Sequence, residues 1–84
     1  MKTKFYYEGH EIVFHRKVTY AVLLIDGKEC DVQAGFVESQ MSSFTLRGEL
    51  SSGESVRLEI KAGFFPDTAE LYINDQLVQT KKAP

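Results

Sequence analysis

Val18-Thr19-Tyr20-Ala21-Val22-Leu23-Leu24-Ile25-Asp26-Gly27-Lys28-Glu29-Cys30-Asp31-Val32-Gln33-Ala34 is the stretch that decides the fold. Asp26-Gly27 divides it into an apolar run, Val18 to Ile25, and an alternating run, Cys30 to Ala34. Asp-Gly between two strand-like runs predicts a tight hairpin, because the turn needs positive φ and glycine adopts it without strain. The first run is apolar on both faces, which marks a central or well-covered strand. A two-residue loop would set Leu23 opposite Cys30 and Ala21 opposite Val32. A three-residue loop, Ile25 to Gly27, would set Val22 opposite Cys30 and Tyr20 opposite Val32. A one-residue slip turns every side chain to the other face, so the loop decides whether Tyr20 belongs to the core. In either case Glu29, Asp31 and Gln33 are expected to face water, and Cys30 to follow the apolar alternation of Val32 and Ala34.

Looser copies of the hairpin signal flank this one, at Tyr7-Glu8-Gly9-His10 and Ile73-Asn74-Asp75-Gln76. What the three share is turn chemistry, which favours three independent hairpins over an internal repeat. Val, Ile, Thr, Tyr and Phe dominate the apolar positions, and most of the chain alternates with a period near two. Strands are expected at about 3–8, 11–16, 18–25, 29–35, 43–50, 55–62, 69–74 and 77–81. The segment 36–42 fits either a short helical turn or a fourth strand extended past a bulge at Gly35. Phe44, Leu46 and Leu50 alternate with Thr45, Arg47 and Glu49, and Val56, Leu58 and Ile60 with Arg57, Glu59 and Lys61. A register with Arg47 opposite Glu59 and Glu49 opposite Arg57 would satisfy both the apolar and the charge pattern. The fold class is therefore all-β: a mostly antiparallel meander of about eight short strands forming a small β-sandwich, with a small open barrel as the alternative. Residues 1–84 form one domain, with 81–84 expected to be a frayed tail.

The 84 residues are 43% hydrophobic and 26% charged, with a net charge of −2, values of an ordinary globular domain. A domain this short is stable by on the order of 5 kcal/mol. The cationic clusters His15-Arg16-Lys17 and Lys81-Lys82 are short, which argues against nucleic acid as a partner. Neither a signal peptide nor a membrane-spanning run is expected: Tyr6-Tyr7-Glu8 interrupts the start, and Tyr20 to Ile25 is too short to span. The expected location is the cytoplasm. The single cysteine, Cys30, excludes an internal disulfide and a thiolate zinc site.

His10 and His15 are five positions apart and point to opposite faces of a strand, so a metal would need ligands from elsewhere. Cys30 with a histidine could form a nucleophilic pair, but a cysteine in an apolar alternation acts more often as a small hydrophobe. No serine lies in a nucleophile elbow, and no glycine-rich phosphate loop precedes a helix. Asp67, Glu70 and Asp75 could meet near one end, with too few further oxygens for calcium. No catalytic residue, cofactor or metal is expected. Gly63-Phe64-Phe65-Pro66-Asp67 places two adjacent aromatics in a connection, where one can close the core while the other is exposed as a binding anchor. Phe36 has the same ambiguity. Phe64, Phe65, Pro66 and Phe36 are the candidate interaction residues.

Four segments, Leu24-Ile25-Asp26-Gly27-Lys28-Glu29, Ser43-Phe44-Thr45-Leu46-Arg47-Gly48, Leu58-Glu59-Ile60-Lys61-Ala62-Gly63-Phe64 and Leu71-Tyr72-Ile73-Asn74-Asp75-Gln76-Leu77, resemble in order and spacing the β-sandwich of the Fas apoptotic inhibitory molecule family. That family's pattern has a tryptophan near the strand matching Phe44, and this chain has none. The resemblance implies a non-enzymatic, protein-binding domain and carries over no ligand residue. The expected function is thus protein binding, through the Phe64-Phe65 loop or an open sheet edge, which would also favour a homodimer. The alternatives are a small molecule or lipid held in a barrel interior, or a small hydrolase or metal protein.

Overall fold

Among the described residues, alternation with period two is realised in eight successive strands, β1 (Lys2–Tyr7), β2 (His10–Arg16), β3 (Tyr20–Ile25), β4 (Lys28–Ala34), β5 (Phe44–Glu49), β6 (Ser55–Lys61), β7 (Asp67–Ile73) and β8 (Gln76–Ala83). The computed structural model describes residues 2–34, 43–62 and 67–83. Two four-stranded antiparallel meanders result, β1-β2-β3-β4 and β5-β6-β7-β8. They pack face to face, and no strand ladder joins them into a closed barrel. The domain is the sandwich, not the barrel.

The inward positions make one core. Phe5, Ile12, Phe14, Ala21, Leu23 and Ile25 of the first sheet meet Leu46, Val56, Leu58, Ile60, Ala69, Leu71 and Ile73 of the second. Burying each large aliphatic or aromatic side chain contributes roughly 1.5–3 kcal/mol, and this burial offsets the chain entropy lost in ordering a small domain. The outward positions of the second sheet carry linked charges. Arg57 binds Glu59 at 2.8 Å and Asp75 at 2.6 Å, and stacks 4.2 Å from the centre of the Tyr72 ring. Lys61 approaches Glu59 and Glu70. The first sheet instead turns Val13, Val22, Leu24 and Val32 outward, Val13 and Val22 being almost covered by their neighbours.

Three two-residue turns have both central residues at positive φ: Glu8-Gly9, Asp26-Gly27 and Asn74-Asp75. This is the type I′ geometry that matches the twist of the flanking strands. The Asp26 loop has two residues, with Ile25 opposite Lys28, but neither register expected from the sequence holds. A bulge shifts the pairing, so Leu23 faces Asp31 and Val22 faces Val32. Cys30 is the extra residue and is exposed rather than part of an apolar row. Asp31 and Gln33 consequently turn toward the core side and are half-buried, while Glu29 faces water. Tyr20 lies opposite Ala34, outside the core.

The β5–β6 register also departs from the charge-based expectation. Arg47 lies opposite Arg57, Thr45 opposite Glu59 and Glu49 opposite Ser55. The two-residue shift preserves the apolar faces. It comes from Leu50, which leaves the strand, is buried, and donates its amide to the Glu54 carbonyl while Gly53 donates back to Leu50. Burying a leucine outweighs an exposed cross-strand ion pair of about 0.2–1 kcal/mol. At the other end, the tail expected from Lys81 is strand as far as Ala83, which is itself buried.

The halves of the chain are built alike, beyond what turn chemistry requires. Both β3–β4 and β7–β8 have the two-residue turn and then a bulge, at Cys30 and at Val78. In the first half Asp26 donates its amide to the Glu11 carbonyl and accepts the Glu11 amide on Oδ1. In the second half Asn74 does the same with Ser55, at 3.0 Å in each direction. Each turn residue thereby clamps the start of the strand two back in the chain. The shared order of strands, turns, bulges and clamps maps β1 to β5, β2 to β6, β3 to β7 and β4 to β8.

Candidate functional site

A sandwich of two open sheets has two lateral seams, and by the correspondence above they are counterparts. At one, β1 runs beside β8; at the other, β5 runs beside β4. Edge strands carry backbone groups without a ladder partner, so what lies across each seam decides whether the edge is sealed.

The β1–β8 seam is sealed by side chains. Lys81 Nζ donates to the Lys4 carbonyl at 2.6 Å and Gln79 Nε2 to the Tyr6 carbonyl at 2.7 Å. Thr3 Oγ1 donates to the Lys82 carbonyl at 3.5 Å. Phe5 is fully buried behind these bonds, and Lys81 Nζ lies 5.6 Å from the centre of its ring.

Among the described residues the β4–β5 seam has one such bond, from the Arg47 amide to Asp31 Oδ2 at 2.8 Å. Asp31 also accepts the Val32 amide on Oδ1. The residue that corresponds to Phe5 is Gly48, opposite Val56 as Phe5 is opposite Ile12. Glycine leaves room there: a Cβ would lie 2.9 Å from Ile25 Cδ1 and 3.1 Å from Cys30 Cβ, so both side chains would have to shift. The strands meet at that point, and an open cleft of about 760 Å³ lies outside it. Lys28, Glu29, Cys30, Arg47, Glu49 and Ser51 are among its walls.

Backbone alternation shows what β5 presents to this cleft. The Arg47 amide points across the seam, so Arg47 and Glu49 both direct N–H and C=O away from β6. The side chains of Arg47 and Glu49 have no ion-pair partner among the described residues. Arg57, the residue opposite Arg47, already takes Glu59 and Asp75. Asp26 borders the cleft, with Oδ2 2.7 Å from His10 Nδ1. Its carboxyl is held below the usual aspartate range, first by that hydrogen bond and then by the Glu11 amide.

The interaction residues expected from the sequence, Phe64, Phe65, Pro66 and Phe36, lie outside the described residues. His10 and His15 are apart, one at the Asp26 turn and one on the outer face of β2. Asp67, Glu70 and Asp75 do not converge: they bind Arg16, Tyr72 with Lys61, and Arg57 respectively. Among the described residues no three His, Cys, Asp or Glu side chains come together as metal ligands. Arg47 and Glu49 escaped notice in the sequence because the expected register gave each an opposite charge; the unpaired state is visible only with Leu50 in the core. Comparison with protein-family models, with characterised proteins and with solved structures finds no match.

Proposed function

We propose that this chain is a non-enzymatic protein-interaction domain that takes an extended segment of its partner along the edge of β5. The observation that carries this reading is the inequality of the seams. Lys81 and Gln79 cap the outward carbonyls of Lys4 and Tyr6 on β1, while of the outward backbone groups of Arg47 and Glu49 on β5 only the Arg47 amide is bonded among the described residues, to Asp31, beside an open cleft. Strand addition supplies affinity through main-chain hydrogen bonds and specificity through alternate side chains. Arg47 and Glu49, which border the cleft and have no ion-pair partner among the described residues, would select the charges of such a segment. The cytoplasm suits an exposed, unpaired Cys30, since thiols stay reduced there.

Glu49→Pro tests the reading. The Glu49 amide points outward, so proline removes a donor for an incoming strand without removing a bond to β6. Displayed random peptide segments selected on the wild-type domain should lose binding to E49P while thermal melting shows the variant still folded. Segments that bind the folded variant equally well would show that β5 is not the docking edge.

A further inference from the structure

We propose that the strand β5 receives is β5 of a second copy of this chain, running antiparallel about a two-fold axis at Gly48. This rests on the reading of β5 as the docking edge and names its occupant.

The backbone fits such a pair. Arg47 and Glu49 turn N–H and C=O outward, and Gly48 turns them toward β6. With Gly48 facing its own copy across the axis, Arg47 of each chain comes opposite Glu49 of the other. Those two residues then exchange both backbone hydrogen bonds, as directly opposed residues do in an antiparallel ladder. Gly48 falls at a close, non-bonded position of that ladder.

The charges select the same register. Arg47 and Glu49 share the outer face of the second sheet, and neither has an ionic partner within the chain among the described residues. Centring the axis on Gly48 pairs Arg47 with Glu49 twice, by symmetry. Centring it on Arg47 sets arginine against arginine, and centring it on Glu49 sets glutamate against glutamate. The like-charge neighbour Arg57, which disfavours Arg47 in the lone chain, becomes a reason to recruit a carboxylate. Asp31 holds the Arg47 amide in the single chain and is displaced by the incoming strand. The sealed β1 edge has no comparable freedom, which limits the assembly to a closed pair rather than a filament.

Sedimentation equilibrium from about 10 µM to about 1 mM tests the pairing. The wild type should approach twice the 9.5 kDa chain mass as concentration rises. Arg47→Glu and Glu49→Arg should each weaken association about ten-fold by placing like charges opposite twice. The double variant, with both charges exchanged, should recover wild-type association. Thermal melts of all three variants separate lost pairing from lost folding. A wild type that stays at the monomer mass throughout overturns the proposal, as does a double variant no tighter than the single ones. If that monomer still captures displayed segments in a Glu49-dependent way, the edge reading stands and self-pairing alone fails.

Discussion

The two seams of this sandwich have the same topology and opposite fates. On one side β8 offers Gln79 and Lys81, donors that reach the carbonyls of Tyr6 and Lys4. On the other, the corresponding residues of β4 are Asp31 and Gln33, and of these Asp31 alone bonds across to a described residue of β5. Phe5 fills the first seam; at Gly48 in the second, β5 lies directly against Ile25 and Cys30 with no side chain between. A repeated architecture therefore does not settle which edge is available. A few side chains at the seam do, by supplying or withholding donors to the same backbone positions.

The comparison can be broken most severely at Phe5. Phe5→Ala should cost about 3–5 kcal/mol in urea unfolding, because it leaves a cavity in the sealed seam, and it should bring this small domain close to unfolding. Gly48→Val should cost about 1–3 kcal/mol by overpacking against Ile25 and Cys30, with a midpoint shift at constant denaturant slope. The double variant Gln79→Ala, Lys81→Ala converts the sealed seam into an open one. It should lose about 1 kcal/mol and speed amide hydrogen exchange in β1 relative to β5.

The clamps offer a finer contrast, since Asp26 titrates and its counterpart Asn74 does not. The Asp26 carboxyl is depressed by His10 and the Glu11 amide, so its contribution is complete above the usual aspartate range. That contribution is lost as pH falls through the lower, folded-state value. Asp26→Asn should flatten the acid limb of the stability–pH profile while Asn74→Asp steepens it. Profiles of wild type and D26N that coincide in acid would show that this clamp is not a titrating element. The smallest change is Glu8→Asn, where glutamate sits at φ 46°. Asparagine suits that turn position better and should raise stability by about 0.5 kcal/mol, read as an increase in melting temperature.

Much of the fold was legible in the sequence. The three turns stand where Glu8-Gly9, Asp26-Gly27 and Asn74-Asp75 place them, and eight strands fall close to the expected limits. The edge proposed for docking was legible only as an unspecified open sheet edge, not as β5. The sequence drew attention to aromatics in connections, while Arg47 and Glu49 looked like satisfied charges on a paired face. The relation between the halves was also hidden, because it lies in the Asp26–Glu11 and Asn74–Ser55 clamps and in bulge positions rather than in residue identity.

Local chemistry by itself determined the strands, the tight turns and the inward faces of strands such as β5 and β6, because alternation and positive-φ residues act over a few neighbouring positions. Tertiary structure decided the registers, the bulge that exposes Cys30, the loop that buries Leu50, and which seam is sealed. A shift of two residues leaves the apolar pattern intact, and the Cys30 bulge reverses the faces of β4 without changing the turn. The choice among them falls to contacts between residues far apart in the chain.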